Sequence, residues 1–377
     1  MFRLVAFLAF YCCFLFAHEL KGQRHTPVID FYDIISDTLV LNHDNFPEAY
    51  RMKMVTNHKG ADFLYVFDCK KGGFEIFDLW TKAHTKSINA PVVDGLPGFA
   101  AASFDIESPN EIYLLSQKGN LVQLDSSGKM VEHWLVTQEL DGEEYALSIS
   151  DYLSNFAVMD QKAYLPIMHT YKKNGKFTLK GKPAMVVYDL ENGEVEKEFA
   201  GYPKSTYKSS NLPSPKYEFA ALKLKEEERL VISYLKDPEL KAYKFKNNKA
   251  KSSRAESPFL NDNKIRPQKD QFGNVIQYSN PNGFYHNIYY DENRQLFYRT
   301  VAHHHDNGNS LARRPFSIQV IDKNYNLLSE IKVPGTEPLD HMKLTVIKEG
   351  LLLQICQQKN PKEVHFLVLD VNKSFRD

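Results

Sequence analysis

"IQVIDKNYN", residues 318–326, is an alternating apolar strand that ends in Asp322 and runs directly into turn residues. The same arrangement returns as "FEIFD" at 74–78, "LVQLDSSG" at 121–128, "MVVYDLENG" at 185–193, "YKFKNNK" at 243–249 and "FLVLDVNK" at 366–373, six copies in all. Asp, Asn, Ser and Gly after a strand reverse the chain, because their short polar side chains or freedom at positive φ suit tight turns. Each copy is therefore read as the third strand of a hairpin whose partner follows at once, as in "KMVEHWLV" and "LLSEIKV".

Two more strands stand upstream of each copy, for instance "GFAAASFDI" and "EIYLLS" before the second, or "FYHNIYYD" and "QLFYRTVA" before the fifth. Each unit is a four-stranded meander. Spacing between copies is irregular, from 47 residues (Asp78 to Asp125) to 76 (Lys246 to Asp322), so the extra length falls in loops. Four-stranded units at such intervals predict an all-β, six-bladed β-propeller with antiparallel blades. A β-sandwich also supplies many short strands, but does not call for one third-strand pattern six times. The last unit ends one strand short, while "DTLVLNHD" at 37–44 has no unit of its own. Closure of the ring by that N-terminal strand resolves both mismatches and removes a bare sheet edge.

The chain opens "MFRLVAFLAFYCCFLFAHELKGQ", with Arg3 ahead of an apolar run from Leu4 to Ala17. That run has the length of a secretory leader core and falls short of the roughly 20 residues of a membrane span. Residues 1–22 are read as a signal peptide and 23–377 as one propeller domain, exported to the periplasm or cell surface. Lipidation at Cys12 or Cys13, or an uncleaved anchor, is the alternative, and either is the only membrane contact expected. Lipidation is disfavoured by Tyr11, since a small residue normally precedes the modified cysteine. The 47 basic and 47 acidic side chains balance, which gives no electrostatic reason to expect nucleic acid as a partner. Beyond the leader only Cys69 and Cys356 remain, and they end the second strands of the first and last units. Facing sheets lie about 10 Å apart, too far for a disulfide, so free thiols are expected.

The stretches "QLFYRTVAHHHDNGNSLARRPFSIQVIDKNYNLLSEI" at 295–331 and "IYLLSQKGNLVQLDSSGKMVEHW" at 112–134, with the "KGQ" that ends the leader, resemble uncharacterised exported propellers of Bacteroidota. The resemblance implies a six-bladed TolB-like or NHL-like propeller outside the cytoplasm, and carries no established reaction. The chain departs from that family in having three histidines where one followed by proline is expected.

In a propeller the second-to-third-strand connections and the blade-to-blade connections emerge on one face. The three longest insertions, 169–183, 261–283 and 303–315, all belong there. The first strands begin near the same face, at Arg51, Phe99, Asn155, Glu218, His286 and His341. The expected ligand-binding set at the channel mouth is Arg51, Glu218, His286, His303, His304, His305, Asp306, Arg313 and His341, suited to a small polar or anionic ligand. The bland counterpart is a mouth whose polar groups merely hold water. His303 and His305 point the same way if their segment is extended. A divalent metal there would need a third ligand from Asp306, His286 or His169 through tertiary contact. No cofactor is required by the sequence, and no HExxH, GxSxG, phosphate-binding or dinucleotide-binding motif occurs. The function expected is a ligand-binding or protein-interaction module without demonstrable chemistry. The alternatives are a metal-assisted lactonase or hydrolase and an envelope scaffold that binds another envelope protein. Six-bladed lactonases carry Glu, Asn and Asp at the mouth; Arg51 stands where such an acid would help, which counts against the enzyme.

Overall fold

The computed structural model describes residues 26–372 except 44–45, 48–49, 58, 90–91, 94–95, 98–102, 117, 137–138, 141–142, 150–152, 170–171, 174–175, 178, 205–217, 261–265, 270–274, 280–282, 304–313, 357–359 and 361. Six antiparallel four-stranded blades follow one another around a ring. Their inner strands are Tyr50–Thr56, Ser103–Ser108, Ala157–Met159, Phe219–Leu224, Phe284–Asp291 and Leu339–Ile347.

A short polar side chain at the end of each third strand sets the turn that follows it. Asp78 Oδ1 accepts hydrogen bonds from the backbone N–H of Trp80 and Thr81, Asp189 from Glu191 and Asn192, and Asp322 from Asn324 and Asn326. Asp125 and Asp370 make the same kind of contact, and Asn247 takes the role in blade four. The carboxylate imitates a backbone acceptor and bends the chain at once, which is why the strand pattern always stops there.

Packing confirms the count of blades. Six apolar clusters lie one at each blade-to-blade interface, for example Tyr164, Phe199, Phe219 and Tyr234 between blades three and four, and Leu41, Leu64, Phe77 and Phe366 between blades six and one. Strand faces that look alternating in sequence are buried on both sides, because each sheet has a neighbour on each face.

The ring closes as the strand count requires. Ile35–Asn42 pairs antiparallel with Glu363–Leu369 and becomes the outer strand of blade six. Some strands escaped the sequence: Val28–Asp30 lies parallel to Leu327–Val333 and adds a fifth strand to blade five, and Glu143–Leu147 pairs with Lys162–His169 in blade three. Phe31 and Ile34, in the short 3-10 turn region between these two N-terminal strands, are buried in the interface of blades five and six. Neither Cys69, which is buried, nor Cys356, which is half-buried, is in a disulfide. Cys69 is packed between blades one and two, on the side of its sheet away from blade six.

Candidate functional site

The inner strands enclose a channel cavity of about 760 Å³. One end is crossed by the segment that precedes the short inner strand of blade three. Arg51 of blade one donates to Leu153 O at 2.9 Å, Ser154 N donates to Asn287 Oδ1 of blade five at 3.0 Å, and Ala221 N of blade four donates to Ser154 O at 2.6 Å. Residues 153–155 are thus tied to three blades besides their own and form a floor. From that floor the lining runs along Met52, Lys53, Asp105, Lys223 and Tyr289 to Gly60, Glu292, Asn293 and Lys348. These last residues are exposed and lie in turns between first and second strands. The pocket therefore opens on the turn face, opposite the face of the long insertions.

Charge is concentrated half-way up this pocket. Asp105 binds Lys53 at 2.7 Å through Oδ1 and Lys223 at 2.6 Å through Oδ2, joining blades one, two and four. It also accepts the backbone N–H groups of Ile106 and Val158. Lys223 donates to Val158 O at 2.7 Å and pairs with Glu107, whose other oxygen faces Lys225 at 3.2 Å. Burial opposes the Asp105 charge, but Lys223 and Lys53 outweigh it and hold the carboxyl well below the ordinary range. Burial brings the Lys223 ammonium down to about 8, against the attraction of Asp105. In the inner part of the pocket Arg51, Lys53 and Lys223 stand with Asp105 and Glu107, three cations to two carboxylates, while at the rim Asp62 and Glu292 stand with Lys348, so the lining as a whole is balanced. Blade three's inner strand spans only Ala157–Met159, and past it the long Lys223 side chain reaches from blade four to blade two.

Sequence reasoning singled out none of Lys53, Asp105, Glu107 and Lys223. The signal was present: one or two charges inside largely apolar first strands, "YRMKMVT", "SFDIES" and "FAALKL".

The residues that the sequence placed at the mouth have the following positions. Arg51 is 6% exposed and stands at the pocket floor, with Phe104 5.0 Å from its guanidinium carbon. Glu218 is half-buried ahead of blade four's inner strand, and burial raises its pKa. His286 and His341 come together, ring centroids 5.0 Å apart, with Phe284 and Phe316 around them. Both are buried, at 3% and 0% exposure. Burial, and then each other's surroundings, keeps them neutral: His341 falls to about 3, with Arg314 and His303 adding to the effect, and His286 lies well below its ordinary value.

His303 turns inward. Its backbone N–H donates to Pro315 O at 2.8 Å, and its Nε2 lies 2.8 Å from Ser317 Oγ. Ser317 gives its own proton to the buried Glu330, so the imidazole is assigned Nε2–H as donor. Ser257 donates to the same Glu330 oxygen at 2.7 Å. The serine stands between the histidine and the acid, the reverse of a nucleophile activated by its base. Burial and Lys332 lower the His303 pKa to about 4. His304, His305, Asp306 and Arg313 lie outside the described residues, as does Phe99.

Comparison with known proteins agrees with the ring. A crystal structure of a DUF4221 family member from Bacteroides vulgatus superposes with a TM-score of 0.68 at 17% identity, over 89% of this chain and 96% of that one. At this identity the likeness shows the fold alone. A protein of unknown function from Bacteroides caccae gives 0.41 at 9% identity, over 76% and 83%. A streptogramin B lyase gives 0.43 at 11% identity, over 88% and 97%. No curated protein matches the sequence. The family described as Domain of unknown function (DUF4221) matches residues 30–332, most of the chain, and the chain belongs to that family.

Proposed function

We propose that this propeller is an exported binding protein whose channel pocket holds a small anionic, polar ligand. The observation that carries the reading is the excess of cations in the inner part of the cavity: Arg51, Lys53 and Lys223 with Asp105 and Glu107. A cavity of this size falls within the range of small-molecule sites, and a few convergent polar groups over an otherwise apolar wall are their usual make-up. Tyr289, Asn287 and Thr345 supply further polar atoms, while Met52, Met54 and Met342 supply adaptable apolar contact. Arg51, at the floor, belongs to the same site.

The test is a calorimetric screen of small carboxylates, phosphates and acidic sugars against neutral sugars. Anions should bind and neutral sugars should not. Affinity should fall as pH rises through about 8, where Lys223 loses its proton. Lys223→Met should abolish binding while the fold persists. Equal binding of neutral and acidic sugars, or anion binding indifferent to Lys223→Met, would remove the reading.

A further inference from the structure

The structure carries a second cluster, away from the channel-lining inner strands and lying at the ring-closure seam. His43 follows the closing strand directly, and its backbone N–H donates to Lys362 O at 2.9 Å. Glu75 and His84 come from the third and outer strands of blade one. Glu75 Oε2 lies 2.8 Å from His84 Nε2 and 3.4 Å from His43 Nε2. One donor atom from each of the three residues fits within 4.8 Å of the others. We propose that His43, Glu75 and His84 bind a divalent transition metal of the zinc class.

Two ligands held about 2.0–2.1 Å from a tetrahedral zinc stand about 3.3 Å apart, so the two nitrogen–oxygen distances bracket the edge of such a site. Two imidazoles and a carboxylate are also the ligand types that suit zinc, nickel and copper rather than calcium or magnesium. The rings are held from behind. Phe77 contacts both, with centroids at 5.6 Å from His43 and 5.3 Å from His84, and Phe46 packs on His43 at 6.3 Å. The imidazoles themselves meet edge-on at 4.6 Å. Ser87 Oγ donates to Glu75 Oε2 at 2.6 Å, an outer hydrogen bond of the kind that orients a ligating carboxylate. Without a metal, the two imidazoles and the Ser87 hydroxyl all converge on one carboxylate oxygen.

The consequence is mechanical. His43 sits between the closing strand and the first inner strand, so a metal bound here fastens the N-terminal closure to blade one. Metal that binds the folded ring and not the unfolded chain raises its melting temperature with concentration.

The experiment uses the full chain stripped with a chelator and titrated with Zn²⁺ by calorimetry and with Co²⁺ by visible absorption. One metal per chain, cobalt bands of a nitrogen–oxygen site and a zinc-dependent rise in melting temperature are expected. His43→Ala and His84→Ala should each weaken zinc by more than about ten-fold and remove the thermal rise, with Glu75→Gln acting in the same direction. If either alanine variant fails to fold, His84→Gln and His43→Gln replace them. A His304→Ala/His305→Ala double variant should keep the metal. Absence of stoichiometric metal in the parent, or metal that survives loss of His43 and His84 and disappears in the double variant, overturns the assignment.

Discussion

Replacing Asp105 by alanine is the most direct probe of the channel. The carboxylate is 5% exposed and its partner Lys223 has a side chain 11% exposed, so both charges are withdrawn from water. Removal of one member of a buried pair costs about 3–5 kcal/mol, because the other is left uncompensated. The Lys53 side chain is 37% exposed and regains water, so its share is small. Two backbone N–H groups lose their acceptor, at about 1 kcal/mol each, while Glu107 remains beside Lys223 and offsets part of the loss. The expected destabilisation is about 3–4 kcal/mol at pH 7, read as a lower urea midpoint at unchanged slope. The Asp105→Ala/Lys223→Met double variant should recover part of it, since the orphaned ammonium is gone. Because the folded pKa of Asp105 is depressed, its contribution is present above the unfolded value near 4 and lost as pH falls through the folded one. The gap between parent and Asp105→Ala should therefore narrow in acid. A loss below about 1 kcal/mol at pH 7, or a gap that widens in acid, would refute the network as described.

Acid should also act through the buried imidazoles. His303 and His341 titrate at about 4 and about 3 in the fold and near 6.5 in the unfolded chain, so stability falls as pH drops below 6.5, by about 2 kcal/mol for each at pH 5; unfolding midpoints that do not change between pH 7 and pH 5 would contradict their burial as neutral rings. Deleting residues 26–45 removes Phe31, Ile34, Leu39 and Leu41 from interface cores, each worth about 1.5–3 kcal/mol, and bares the edge of blade six. The truncated chain should aggregate or lose cooperative melting, and a normal melt would refute the closure. Gly350 has φ +152°, and an added Cβ would lie 2.1 Å from Leu369 O, so Gly350→Ala should cost about 2 kcal/mol or more in urea unfolding. A cost within error of zero would mean that this backbone gives way freely.

The fold was legible because its signals are local. An aspartate that caps its own turn acts over four residues, and repetition of that device announced the third strand of every blade before any contact was known. Closure by 35–42 was legible for a different reason, since a strand deficit at one end and a surplus at the other need only counting. Val28–Asp30 was not legible: three residues pair in parallel with a strand three hundred positions away, with no turn between them to leave a mark. The channel network failed for the same reason in stronger form. Lys53, Asp105 and Lys223 sit on three different blades, and their meeting depends on the ring's curvature and on the shortness of one inner strand. Of the histidine run, only His303 lies among the described residues. Three adjacent imidazoles draw attention, yet His303 is held by the ladder bond to Pro315 and by Ser317, so its ring serves the interior of blade five. An isolated lysine in an apolar strand says less to the eye and more to the physics. Burying it is costly without a partner, so Lys223 calls for a buried carboxylate, which only the folded ring identifies as Asp105.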